Sequence, residues 1–165
     1  PEPAIDMHAD DLARRGIRPG DLVRVESRRG AIVLPAQPSD EVASGQAFIA
    51  MHWGERFLAG AQGVNTLTVP ACDPVSKQPE LKHAAIRVTR AELPWRVVAF
   101  GFPGTGAATR LADRLAALAG AFAYASVVLI GRDAEGVLLR AAAAQAASTD
   151  LLAALDAALG LDAPD

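Results

Sequence analysis

Residues 51–82, MHWGERFLAGAQGVNTLTVPACDPVSKQPELK, interrupt the regular alternation on either side of them and set what this chain can fold into. A connector of that length without a helix or strand of its own is uncommon in a compact domain, and is usually functional or disordered. Disorder does not suit it, because Trp53, Phe57, Leu58, Val64, Leu67, Val69 and Leu81 give it apolar weight. His52-Trp53-Gly54 closes an apolar run, and Gly60 and Gly63 loosen the chain. Pro70, Pro74 and Pro79 then stiffen a tail carrying Asp73, Lys77, Glu80 and Lys82. The stretch reads as an ordered binding loop, which requires a rigid scaffold around it.

That scaffold is legible as short strands. Ala4–Met7 reads as a strand, followed by a helix from Ala9 to Arg15 that His8 or Asp10 caps and Gly16 stops. Ile17-Arg18-Pro19-Gly20-Asp21 is turn chemistry. Leu22–Ser27 alternates apolar and polar, Arg29-Gly30 turns the chain, and Ala31–Leu34 returns it, which predicts a β-hairpin with one buried face. A polar turn over 38–46 leads to Ala47–Met51, apolar throughout and so expected to be buried on both faces. Ala85–Thr89 completes the β set. Pro19-Gly20-Asp21 and Ser44-Gly45-Gln46 both precede strands, an echo that fits a barrel of two similar halves and equally fits the ordinary habit of glycine before strands.

At Glu92-Leu93-Pro94 the character changes. Val97–Phe100 reads as a strand. Thr105 can cap a helix whose Leu111, Leu115, Leu118 and Phe122 share one face. Ser126–Ile130 and Val137–Arg140 form a hairpin across 133–136, and Ser148 or Thr149 caps a last helix ended by Gly160. The expectation is therefore a mainly β domain over residues 1–92 and a small α+β appendage over 93–165, the latter assigned a packing role.

Composition removes several functions. A net charge of −3 argues against a nucleic-acid-binding protein, and no apolar stretch approaches the ~20 residues that span a bilayer. Cys72 is the single cysteine, so no internal disulfide and no cysteine-built metal site can form; a reducing, cytoplasmic setting is the expectation. The chain opens at Pro1 without an initiator methionine, which reads as a piece of something larger. No catalytic or metal-ligating set emerges: there is no supported Ser–His–Asp grouping and no histidine pair at metal spacing. Gly101–Gly106 has the look of a phosphate loop but lacks its Lys-Ser/Thr, and Pro103 removes a backbone donor. Within the long loop, Trp53 offers either an aromatic wall or a core plug, and His52 a ligand contact or a structural histidine. Asn65 is a contact or a left-handed or self-bonded turn residue, Lys77 and Lys82 contacts or solvated surface, and Arg28-Arg29 reads as hairpin decoration.

Taken together, five phrases resemble one family. They are Asp10 to Asp21 (DDLARRGIRPGD), Val25 to Gly30 (VESRRG), His52-Trp53-Gly54, Val64 to Thr68 (VNTLT) and Asp73 to Lys82 (DPVSKQPELK). In that order and spacing they resemble the C-terminal molybdopterin-dinucleotide-binding domain of molybdenum oxidoreductases, in particular assimilatory nitrate reductase, over about residues 2–92. The resemblance implies a six-stranded double-psi β-barrel (aspartate-decarboxylase-like) that closes over bis-molybdopterin guanine dinucleotide. It places the cofactor contacts on His52, Trp53, Gly54, Asn65, Lys77, Gln78, Glu80 and Lys82, with Lys77 standing where related patterns carry either Lys or Gly. Molybdenum and the iron–sulfur cluster would be held by other domains of the same polypeptide, with nitrate as substrate, so the chain alone is expected to be inactive. A formate dehydrogenase domain and a free-standing double-psi barrel that binds proteins are the competing expectations.

Overall fold

The computed structural model describes residues 2–53, 58, 63–69, 71–78, 83–104 and 106–160. Two compact units emerge: a first comprising Pro3–Gly54 and Ala61–Ala91, and a second comprising Pro1–Glu2, Glu55–Gly60 and Glu92–Asp165. The chain is mainly β, with two sheets and few helices.

In the first unit, β1 (Ile5–Met7), β2 (Leu22–Glu26), β3 (Ala31–Pro38), β4 (Ala47–Ile49) and β5 (Arg87–Arg90) form one sheet in the order β4-β1-β3-β2-β5. These are the five strands of the first unit among the described residues, where the resemblance implies six. The alternation of the hairpin is cashed out as burial. Val23 and Val25 of β2 pair with Leu34 and Ile32 of β3, and all four are buried with Ile5, Met7, Leu12 and Ala36. Removing one such side chain from water is worth about 1.5–3 kcal/mol.

β3 runs past the expected end at Leu34. Its first half pairs antiparallel with β2, and Ala36–Pro38 then pair in parallel with β1. Pro35 reads as a strand breaker, yet proline is tolerated in a strand wherever its missing N–H would have had no ladder partner. β4 is shorter than the expected Ala47–Met51 and is not buried on both faces: Phe48 is 56% and Met51 44% exposed. It lies at the sheet edge beside β1 alone, and apolar composition by itself does not distinguish an edge from a centre.

Helix α1 (Ala9–Arg14) is capped by His8, whose ring accepts from the Asp10 N–H. It carries an unforeseen lock. Asp11, 2% exposed, accepts from the Gly45 N–H at 2.6 Å and from the guanidinium groups of Arg14 and Arg15. These donors, with the Gly45 amide foremost, lower its carboxyl from 3.8 to about 2. The glycines of the two echoed turns, Gly20 and Gly45, both sit in the left-handed region at φ +83° and +84°.

The second unit is a helix-on-sheet layer. β6 (Trp95–Gly101), β7 (Tyr124–Ile130) and β8 (Gly136–Ala143) are ordered β6-β8-β7, all antiparallel. α2 (Ala107–Ala119) and α3 (Thr149–Leu159) cover one face. Leu111 and Leu115 pack with Val127, Val137, Leu139 and Leu155, and Phe122, just beyond α2, stacks on Trp95 with ring centroids 5.9 Å apart. Ser148 caps α3 through the Leu151 N–H, and Gly160 ends it in the left-handed region. The expected Thr105 cap of α2 falls outside the described residues.

Candidate functional site

His52 and Trp53 follow β4 as the chain leaves the sheet. Trp53 is buried at 8% exposure, while His52 is exposed beside it, the two rings 4.5 Å apart and tilted by 45°. Of the alternatives for this pair, burial makes Trp53 part of the core and leaves His52 as the ring that a ligand can reach.

Further along lies a 3-10 helix, Val64–Leu67, so the long loop has a folded segment after all. It is tied to the end of the sheet by a hydrogen bond from the Val64 N–H to the Trp53 carbonyl, 3.3 Å. Val64 and Leu67 are buried anchors, and Asn65 between them is exposed. The Asn65 carbonyl accepts from both the N–H and the hydroxyl of Thr68. Its side-chain amide makes no hydrogen bond among the described residues, so the self-bonded turn is not seen there, and the residue is exposed.

The hairpin turn between β2 and β3 presses on this helix. A Cβ on Gly30 would lie 2.4 Å from Thr66 Cγ2, closer than real atoms approach, so only glycine fits there without a shift. The turn is internally fixed: the Ser27 N–H donates to the Gly30 carbonyl, and the Arg29 N–H to Ser27 Oγ. Thr66 Oγ1, pressed under it, is buried and has no hydrogen-bond partner among the described residues. Native folds leave few such groups, because each costs about 1–3 kcal/mol unless something fills the vacancy.

Further on, Asp73–Gln78 is a self-contained turn. Asp73 Oδ1 accepts from the N–H groups of Ser76 (2.6 Å) and Val75 (3.0 Å), which together hold its carboxyl below the usual range, with Ser76 the larger cause. The Asp73 N–H donates to the Gln78 carbonyl and the Lys77 N–H to the Asp73 carbonyl. Lys77 sits at φ +59°, a region that favours glycine, which gives a backbone reason for Lys and Gly alternating there in related patterns. The side chains of Lys77 and Gln78 are exposed.

The His52-Trp53 segment and the Val64–Leu67 helix thus meet at the Trp53–Val64 backbone bond, and the 27–30 turn abuts the same helix at Thr66. The hydrogen bonds of the Asp73–Gln78 turn are internal to it and do not join it to that group. Gly54, Glu80 and Lys82 lie outside the described residues. No cluster of three or more His, Cys, Asp or Glu among the described residues could hold a metal ion, and no described helix is long and apolar enough to cross a membrane.

Comparison with known proteins decides the family. The model described as "Molydopterin dinucleotide binding domain" matches residues 1–85. The chain belongs to this molybdopterin-dinucleotide-binding family. It is 37% identical over 86 residues to F420-dependent formate dehydrogenase 2 subunit alpha of Methanococcus maripaludis, covering 52% of this chain and 12% of that protein. It is 42% identical over 87 residues to the periplasmic nitrate reductase of Desulfovibrio desulfuricans, covering 53% of this chain and 11% of that protein. The nitrate reductase of Klebsiella oxytoca matches at 32% over 95 residues, covering 58% of this chain and 11% of that protein. The chain therefore spans about an eighth or less of these relatives. The family supports the molybdopterin guanine dinucleotide expected from the sequence, and the relatives include both nitrate reductases and formate dehydrogenases. The donor set suits such a group: an open amide, an exposed imidazole and an unpartnered buried hydroxyl match the donor and acceptor edges of pterin and guanine.

Proposed function

We propose that this chain is the domain of a molybdenum-dependent nitrate reductase, of the assimilatory type, that contacts bis-molybdopterin guanine dinucleotide and closes over the active site. The observation that carries the reading is the junction of His52 and Trp53 with the Asn65–Thr66 helix. It presents an open amide and an orphaned hydroxyl within the stretch that the family model covers. The proposed contacts are His52, Trp53, Gly54, Asn65, Lys77, Gln78, Glu80 and Lys82, with Trp53 acting as a wall from within the core. When bound, the cofactor supplies the redox chemistry, while this chain's residues hold and orient it and exclude water. Residues 1–92 take this role as a double-psi β-barrel. That architecture is supported by the parallel β1–β3 pairing among otherwise antiparallel partners and by the matched Gly20 and Gly45 turns. Residues 93–165 form the α+β appendage. Other domains of the polypeptide hold molybdenum and the iron–sulfur cluster in a cytoplasmic enzyme, so this chain alone does not reduce nitrate.

The test is made in the full polypeptide. Asn65→Ala should lower cofactor retention by about 1–3 kcal/mol, the scale of a buried polar group left unpaired. Trp53→Ala should lower it more, with a loss of stability from the core as well. Unchanged cofactor content with lowered stability in both variants would return these residues to a packing role. A second reading, a formate dehydrogenase domain, is favoured by the 37% identity to a formate dehydrogenase subunit. Turnover of formate and not nitrate by the intact enzyme with artificial electron carriers would select it.

A further inference from the structure

We propose that Arg28 and Arg87, with the hydroxyl of Ser27, form an anion seat that takes the diphosphate of the dinucleotide; the proposal rests on the cofactor reading above and assigns to it residues outside the family phrases' expected contacts.

The two arginines come from neighbouring strands. β2 and β5 pair with Glu26 opposite Arg87, and β2 runs directly into the Ser27–Gly30 turn. Arg28 and Arg87 therefore share the mouth of one cavity of about 430 Å³, lined by Glu26, Ser27, Arg28, Ala85, Ile86 and Arg87. Neither guanidinium has an ion pair or a hydrogen bond among the described residues. The one acid in the lining, Glu26, is engaged by Arg24 at 3.4 Å. Two exposed guanidiniums thus line one cavity with no uncommitted acid in its lining among the described residues. An anion between them removes their mutual repulsion and meets the forked donors that guanidinium offers to phosphate oxygens.

The seat is also rigid and well placed. Ser27 Oγ accepts from the Arg29 N–H, which leaves the hydroxyl proton free to donate. Gly30 locks the same turn onto Thr66, next to Asn65, so one ligand can touch the turn and the 3-10 helix without either moving. Arg87 also borders a second cavity, of about 360 Å³, where Asp11, Arg15, Gly45 and Gln46 stand. There Asp11 is ionised and Arg15 is committed to it. The donors on that side, the Arg15 guanidinium and the Gly45 N–H, are already committed to Asp11, whereas those on the Arg28 side are not.

Inorganic pyrophosphate is the probe, titrated calorimetrically into the purified chain at low salt. Binding should weaken about tenfold or more in Arg28→Ala and in Arg87→Ala, and stay within about twofold in Arg132→Ala, an exposed arginine of the second unit. Arg28→Lys should recover part of the loss, because it keeps the charge and loses the fork. Thermal midpoints should not move, since both side chains are exposed. Absence of pyrophosphate binding, or equal binding by Arg28→Ala and the parent, would overturn the seat. In the full polypeptide, loss of cofactor from Asn65→Ala but from neither arginine variant would overturn the seat and leave the cofactor site standing. Arginine-dependent pyrophosphate binding alongside full cofactor content in His52→Ala and Asn65→Ala would support the seat and sink the cofactor site instead.

Discussion

The two units are stabilised by different means. In the second, α2 and α3 bury leucines, valines and alanines against three strands, and the side-chain hydrogen bonds include the Ser148 cap of α3, the buried Tyr124 hydroxyl donating to Ser126, and the pairing of Arg140 with Glu2. In the first, an apolar sheet face is supplemented by devices that fix loops one at a time. Asp11 fastens α1 to the Gly45 turn, Ser27 and Gly30 fix the hairpin turn against Thr66, and Asp73 folds its own turn. Burial is the main means where the product is a packed layer. Directional contacts are needed where a loop must be held at one position, because apolar packing sets proximity without setting orientation.

Three changes sharpen or break that contrast. The largest effect should come from Leu139→Ala, since this fully buried side chain lies at the centre of the second unit's core. A loss of about 2–5 kcal/mol in denaturant unfolding is expected, with pyrophosphate affinity unchanged. An equal loss of affinity would show that the second unit takes part in binding. Next, Gly30→Ala should destabilise by about 1–3 kcal/mol through the collision with Thr66 Cγ2. Thr66→Ser in the same chain removes that methyl and should restore most of the stability. If it does not, the close approach is not what requires glycine.

The smallest change is in pH dependence. Asp11 has its carboxyl lowered from 3.8 to about 2, so its ionised form is the one bonded in the fold. Its contribution is complete above about pH 4 and is lost as pH falls through 2. Asp11→Asn should lower the melting midpoint by several degrees at pH 7 and flatten its decline between pH 4 and 2. A parent and variant with parallel profiles over that window would remove Asp11 from the account.

How far the sequence reveals these features follows from the range of the forces involved. The β2–β3 hairpin is legible because period-two alternation is local, and both helices of the second unit because their caps and apolar spacing are local too. The extension of β3 through Pro35 is not, since it depends on a parallel partner about thirty residues away. Nor is the exposure of Phe48, which depends on β4 being an edge. At the candidate site, motif resemblance singles out His52, Trp53 and Asn65 as expected contacts, but burial of the tryptophan beside an exposed histidine depends on the fold around them. Arg28 passed as decoration because its significance lies in Arg87, across the sheet. Thr66 passed because an unpaired hydroxyl has no sequence signature.

The double allegiance of β3 has a consequence for how the chain assembles. Its antiparallel partner lies just across a tight turn, so that pairing closes a loop of a few residues. Its parallel partner, β1, lies beyond α1 and the Gly20 turn, and closing that much larger loop costs more chain entropy. The hairpin should therefore form early and present the unpaired end of β3 as a template on which β1 docks later. Until that docking occurs, the Ala36–Pro38 edge is open to the first strand of any neighbouring copy. During synthesis or refolding at high concentration, this edge is the place where strand exchange between molecules would begin.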